Sequence, residues 1–300
     1  MNVDVSVIIP VFNSVNTIER AIQSTQNQGV KTEVIIVDDG SNDGSQEFIK
    51  HLVTQYDGHF RFISSETNLG ASGARNLALK TVETEYVAFL DADDLWLENK
   101  LVAQLKVAKS DREIVMVTCD SFKVSPQGRV LSRGHAYRKP VEGYDGWRTL
   151  LSYNFMPTPT VLTKIDAIKK AGYFDPNLEV GEDLDLWLGI AKQGKIGVVN
   201  QVLTQYFDYS GSLMKRGGVT SAEYILDMII GHMNDPRLSE KEKDKILSRR
   251  YFEIGLQCLG FSQTKSMNHY FSLAEQHGFD TQTVKKIKMK YKLKSLFGVK

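Results

Sequence analysis

Cysteine is scarce in this chain: Cys119 and Cys258 are the only two among 300 residues, far apart and outside any C-x-x-C or Cys/His cluster. Neither a disulfide framework nor a structural zinc site is indicated, and a reducing, cytoplasmic setting fits. Long apolar runs are missing too. No stretch approaches the ~20 residues of a membrane span. The chain enters an apolar strand without a basic leader or a small-residue cleavage site, so secretion and integral membrane insertion are not expected. A surplus of one charge is also lacking: 37 Lys+Arg against 36 Asp+Glu leaves +1, too little to steer the chain to nucleic acid. The histidines, His51, His59 and His135 among them, show no ligand spacing and read as ordinary surface or core residues.

What is present is the composition of a globular protein, 42% hydrophobic and 24% charged, long enough for one large domain or two unequal ones. Charge is unevenly spread. Residues 221–300 hold 14 Lys+Arg and 9 Asp+Glu, a local +5 that leaves −4 for the first 220. We read an α/β domain over 1–215 and a helical region with a basic tail over 216–300.

The first part alternates strand and helix signals. Val3–Val11 predicts a strand and Asn13–Gln28 a helix; Glu33–Val37 and Gln46–Tyr56 repeat the pair around a turn at Asp38–Gly44. Arg61–Ser64, a Gly-rich stretch, the helix Ala74–Thr81 and the strand Tyr86–Leu90 follow. Such alternation implies a mostly parallel sheet with right-handed crossovers, whose ligands sit beyond the carboxyl ends of the strands. Residues 114–210 read as mixed, with strands at Ile114–Cys119 and Val130–Arg133, a Pro-punctuated loop at Phe155–Thr160 and a helix over Asp183–Gln193. Beyond Gly217-Gly218 the spacing predicts helices over Ser221–Met233, from a capping box at Ser239–Glu242 to about Leu259, and over Lys265–His277. The stretch Ile287–Lys294 fits either a period-two strand or a helix with Val284, Ile287 and Tyr291 on one side.

Three strand ends carry polar clusters: Pro10–Asn13, Asp38-Asp39-Gly40-Ser41 and Asp91-Ala92-Asp93-Asp94. A parallel sheet brings all three to one edge, where converging carboxylates need a cation or hydrogen-bond donors. A hard divalent ion completed by substrate phosphates satisfies them. Asp38–Ser41 is equally readable as a turn with a helix cap. The Asp91–Asp94 run favours metal binding, since it follows a strand that should be buried on both faces.

With Ser6-Val-Ile-Ile-Pro-Val-Phe-Asn13, Val37-Asp-Asp-Gly-Ser41, Asn68-x-Gly-x-x-x-Ala-Arg-Asn76, Phe89-Leu-Asp-Ala-Asp-Asp94 and Gly181-Glu-Asp-Leu-Asp-Leu-Trp187, the chain resembles the family 2 glycosyltransferases over about residues 3–210. Each motif alone is weak; the ordered set is specific. The resemblance implies a GT-A type nucleotide-sugar-binding fold, a UDP-sugar or similar donor, Mn or Mg, and inversion at the anomeric carbon. It would set Pro10 and Phe12 beside the nucleobase, with Asp39 bonded to the base and Asp38 shaping that turn. Arg75 would lie near the base or diphosphate, its alternative being an ordinary first-turn helix residue. Asp91 and Asp93 would be the paired aspartates, one towards the ribose and one on the metal, with Asp94 able to share the metal. Asp183 would be the general base and Glu182 its backup, although acidic residues also decorate helix starts. Trp187 reads as acceptor pocket or, more ordinarily, as core.

One departure stands out: where many relatives carry His, this chain has Tyr209, a poor substitute as a metal or phosphate partner. Lys215 and Arg216 follow, either contacting the diphosphate or merely solubilising. Six lysines among residues 285–294, interleaved with apolar residues, suit either a solvated tail or peripheral contact with the inner face of an anionic membrane. The expected role is adding one sugar to a cell-surface polysaccharide or other glycan, on a glycan or lipid-linked acceptor. Absent membrane spans argue for single additions over processive synthesis. Two other readings compete with this one. A non-catalytic nucleotide-sugar-binding subunit or sensor has no use for a base, but the missing His leaves that alternative open; a nucleotidyltransferase would need a Gly-rich basic loop where Pro10-Val-Phe-Asn13 stands.

Overall fold

A computed structural model describes residues 3–56, 59–209, 213–261 and 263–296, with backbone only at 213–216 and 292–296. The side chains of Lys215 and Arg216 therefore lie outside the described residues. The chain divides into two compact units, Met1–Leu150 with Asn154–Tyr209, and Leu151–Tyr153 with Ser210–Lys300.

The first unit is built on one sheet. Its strands are β1 (Val5–Val11), β2 (Thr32–Asp38), β3 (His59–Ser64), β4 (Tyr86–Phe89), β5 (Leu95–Trp96), β6 (Ile114–Val124), β7 (Val130–Arg133), β8 (Leu162–Lys164) and β9 (Lys195–Phe207). The helices are α1 (Ile18–Ser24), α2 (Ser45–Leu52), α3 (Gly70–Leu79), α4 (Lys100–Ala108), α5 (Gly134–Tyr137), α6 (Gly146–Ser152, its last two residues belonging to the second unit), α7 (Ile165–Ala171) and α8 (Glu182–Ala191). The order is β3-β2-β1-β4-β8-β6-β9-β5, with β7 paired to β6. β1, β2, β3 and β4 are mutually parallel. β1 and β2 are buried Val/Ile-rich runs and β4 (Tyr-Val-Ala-Phe) is buried throughout, whereas the edge strand β3 is only partly buried. β8 then runs antiparallel to β4 and to β6, and β9 runs parallel to β6. The crossovers leave the ends of β1, β2 and β4 on one edge. There Asp39 N–H bonds Val11 O at 2.8 Å and Leu90 N–H bonds Ile8 O at 3.0 Å.

Several elements differ from expectation, such as α3, which starts at Gly70, and α4, β8 and α7, which the spacing does not mark; two have identifiable reasons. The helix predicted from Asn13 starts only at Ile18, because the preceding backbone is spent elsewhere. Asn13, Ser14 and Val15 donate their N–H groups to Ser41 Oγ, Ser45 Oγ and Asp43 Oδ2, and Asn13 itself has φ 50°. The loop after β1 is thereby sewn to the turn after β2, where Gly40 takes φ 77°. Strand β9 was not foreseen. Polar Asn200, Gln201, Thr204 and Gln205 break its alternation, and it slips against β6: Cys119 pairs Val199, Asp120 pairs Val202 and Ser121 pairs Thr204.

The second unit is helical: α9 (Leu213–His232), α10 (Glu240–Gly260), α11 (Thr264–Gln276) and α12 (Thr281–Leu296). α9 bends at Gly218, whose φ/ψ of 56°/−132° is not helical. The capping box of α10 is complete: Ser239 Oγ accepts from Glu242 N–H, and Glu242 accepts from Ser239 N–H at 2.8 Å. The ambiguous last segment is helix, because Val284, Ile287 and Tyr291 pack on a core built round Phe252, Cys258 and Phe271. Among the described residues no helix is long and apolar enough to cross a membrane.

Candidate active site

The edge formed by β1, β2 and β4 carries the first group of residues. Pro10 lies within β1, opposite Val37, and Phe12 just beyond it is 49% exposed. Asp38 is fully buried and its Oδ1 accepts from Ser41 N–H at 3.1 Å, which shapes the turn; its Oδ2 has no partner. Asp39 accepts from Leu69 N–H at 2.8 Å. Burial pushes its carboxyl up, and the N–H groups of Leu69 and Gly70 offset only part of this. Leu69, whose N–H is bonded to Asp39, is 42% exposed.

The acidic turn after β4 is tightly folded, with Asp94 N–H bonded to Asp91 O at 3.1 Å. Asp94 points inward: its Oδ1 accepts from Phe207 N–H at 2.9 Å, anchoring the end of β9, while Oδ2 is buried and unpartnered. Burial, then the charges of Asp91 and Asp93, raise Asp94 well above the usual carboxylate range. The same causes, burial and then Asp91, push Asp93 up to about 6. Burial and this cluster of charges also raise the Tyr206 phenol.

Such crowding tests whether Mn or Mg belongs here. All the ligand atoms are hard oxygens, and one of them, Asp94 Oδ2, is buried without a partner, so the residues fit a divalent ion. Among the described residues no three His, Cys, Asp or Glu side chains are already gathered to hold a metal. The remaining coordination would have to come from donor phosphates and water.

Arg75 on α3 joins this turn to the start of α8. It is buried, with Nη2 2.6 Å from Asp91 Oδ1 and Nη1 3.1 Å from Glu182 Oε1, and its guanidinium lies 5.2 Å from the Phe174 ring centroid. Burial disfavours its charge, but Asp91 and Glu182 more than reverse this. Both arms of the fork are thus held by protein carboxylates. Glu182 and Asp183, adjacent in sequence, are separated by this contact. Glu182 holds Arg75, whereas Asp183 accepts from Asn154 Nδ2 and Thr158 Oγ1, each at 3.3 Å, and from Leu184 N–H at 2.6 Å. Burial first and Glu182 second push Asp183 up to about 7. Trp187 is core, packed with Phe89 and Phe174, which removes its acceptor-pocket reading.

Arg20 on α1 was not anticipated. Its Nη2 donates to the main-chain oxygen of Asp93 and to Tyr209 Oη, the latter at 2.9 Å. The guanidinium stacks 3.9 Å from the Phe207 centroid. Tyr209, standing in the place of His, is thereby tied to the acidic turn through a cation. Nothing in the local spacing marks Arg20, since its partners lie 73 and 189 residues away. Asn154 precedes and Thr158 lies within the loop Phe155–Thr160, which the sequence marks only by its prolines.

With this geometry in view, comparison with known proteins is informative. Residues 6–165 match the family described as Glycosyl transferase family 2. An uncharacterized glycosyltransferase of Rickettsia felis is 29% identical over 240 residues, 79% of this chain. The chain spans only 38% of that relative's length. The UDP-Glc:alpha-D-GlcNAc-diphosphoundecaprenol beta-1,3-glucosyltransferase WfaP of Escherichia coli is 30% identical over 211 residues, covering 70% of this chain and 79% of the relative. Among solved structures, the mannosyltransferase PcManGT from Pyrobaculum calidifontis in complex with GDP-Man and Mn2+ superposes with a TM-score of 0.68 at 16% identity, covering 98% of this chain and 81% of that one. S. aureus TarS in complex with UDP-GlcNAc gives 0.59 at 18% identity, with 91% of each chain covered. The chain belongs to glycosyltransferase family 2 and has the GT-A type of fold, extended by a helical C-terminal region.

Proposed function

We propose that the chain transfers a sugar from a nucleotide diphosphate donor, a UDP-sugar, to an acceptor hydroxyl in surface-glycan synthesis, with inversion. The observation that carries the reading is the Arg75 contact with Asp91 and Glu182, which couples the acidic turn to the α8 start as one site. UDP-GlcNAc bound by TarS, and UDP-Glc in the name of WfaP, support a uridine donor. Phe12 and Leu69 offer apolar faces to the base beside Asp39, and Pro10 and Asp38 hold that edge in shape.

Asp183 serves as the base. Raised to about 7, its carboxylate is basic enough to take the acceptor proton near neutrality, and Asn154 and Thr158 fix its orientation. The acceptor oxygen forms its bond to the anomeric carbon as the bond to the UDP oxygen breaks. UDP leaves with the electron pair, and the proton resides on Asp183. Glu182, held by Arg75, is not free to be a nucleophile, and a single displacement inverts the centre. Asp91 and Asp93, with the orphaned Asp94 oxygen behind them, would hold Mn or Mg; that ion supplies positive charge to the departing diphosphate.

The outward residues Lys285, Lys286 and Lys290 of α12 suit peripheral contact with an anionic membrane at the cytoplasmic face, and a glycan or lipid-linked acceptor would be met there. The test is the anomeric configuration of the product. An α-linked UDP-sugar should give a β-linked product by NMR, and an α-linked product would sink the single-displacement mechanism.

A further inference from the structure

We propose that residues 129–139, the β7 arm of the β6–β7 hairpin with α5, form the acceptor-binding element and take an acceptor whose phosphate is carried on a lipid. The proposal rests on the transferase reading and adds the acceptor's chemistry to it. Three observations converge on this hairpin.

The first is a rigid root. Asp120, fully buried at the slip between β6 and β9, receives the N–H groups of Ser121 and His135 at 2.8 and 2.9 Å and Arg133 Nε on its other oxygen. Burial would raise this carboxyl, but the donors hold it below its ordinary value. A buried, ionised aspartate thus fixes the turn from strand to α5.

The second is a direct link to the base. Arg138 Nη1 donates to Asn154 O at 3.1 Å, and Asn154 Nδ2 donates to Asp183 Oδ2. Asn154 Oδ1 is held by Met156 N–H at 2.9 Å, so the amide cannot swing away without loss. An anion gripped at Arg138 is therefore one residue removed from the carboxylate that takes the acceptor proton.

The third is the surface itself. Arg133, Arg138 and Lys139 are exposed together with Val130, Leu131 and Tyr137, which are 50%, 48% and 76% exposed. Cations interleaved with uncovered aliphatic and aromatic groups complement a phosphate headgroup and the start of its hydrocarbon chain. A neutral glycan would have no use for the cations.

The experiment uses the full chain and vesicles of three kinds: phosphatidylcholine, phosphatidylcholine with phosphatidylglycerol, and phosphatidylcholine with a polyprenyl diphosphate at matched surface charge. Retention on the polyprenyl diphosphate vesicles should exceed that on phosphatidylglycerol vesicles by about tenfold. The pair Arg138→Ala with Lys139→Ala should abolish that preference, with UDP titration in the presence of Mn reporting that the donor side still stands. Equal retention on both anionic vesicles, a preference intact in the pair, or a preference lost only on changing Lys285, Lys286 and Lys290 to Ala would overturn the proposal. A wild-type chain that binds no UDP would overturn the transferase reading instead.

Discussion

Arg75 lies 2.6 Å from Asp91, and the arginine side chain is only 5% exposed. Its second arm reaches Glu182, so one buried cation holds two motifs that are 91 residues apart in the chain. Under the proposed function, this contact marks where the donor and acceptor halves of the site meet.

Replacing Arg75 by Met would leave two carboxylates facing each other without a cation. Breaking a buried pair is costly, but both acids are partly exposed, so we expect a loss of roughly 2 kcal/mol. Arg75→Lys should recover only part of it, because an ammonium cannot fork to two acids. Urea midpoints of the three proteins measure this, and an unchanged midpoint for the Met variant would contradict the bridging role.

Asp183→Asn should spare donor binding and reduce transfer by about 10²-fold or more. The wild-type rate should rise with pH through about 7, because the raised carboxyl must lose its proton to act as base. The sign for stability is opposite. A carboxyl raised in the folded state binds its proton more tightly there than when unfolded. It therefore favours folding at low pH, and that contribution fades as pH rises from about 4 towards 7. A pH–rate profile and thermal melts without ligand read the two effects separately; a rate flat across pH 6–8 would count against Asp183 (the range being about one unit either side).

Arg20 and Tyr209 should be energetically coupled. Arg20→Met loses the stacking on Phe207 and the bonds to Asp93 O and Tyr209, about 1–2 kcal/mol. Tyr209→Phe alone loses about 1 kcal/mol. The double variant should cost less than the sum of both. Full additivity in denaturant titrations would show that the two side chains act apart.

The parts of this molecule that were legible in its sequence are those governed by near neighbours. Strands β1, β2 and β4 announce themselves as short β-branched runs, and the polar clusters at their ends follow directly. The capping box at Ser239 and Glu242 is a three-residue relationship and was read correctly. Strand β9 escaped notice because its slip against β6 is a property of the pair. The false helix start at Asn13 has the same origin, since its N–H groups are taken by residues 28 positions on. In the site, the family resemblance assigns Asp183 as base with Glu182 as backup and Asp91 and Asp93 to ribose and metal, but the contacts each acid makes could not be read from the sequence. Only the fold shows Glu182 engaged by Arg75, Asp183 left to Asn154 and Thr158, and Asp94 turned inward to β9. Arg20 is the extreme case, a helix residue whose meaning lies wholly in distant partners.

The central claim, that the acidic turn and the Phe12–Asp39 edge form one metal-dependent uridine donor site, is met most directly by calorimetric titration. UDP and GDP would be titrated with and without Mn, into the wild-type chain and Asp93→Ala. The account predicts UDP binding that requires Mn, weak or absent GDP binding, and at least about tenfold weaker UDP binding in Asp93→Ala. UDP binding that is indifferent to both Mn and Asp93, or no UDP binding at all, would contradict it.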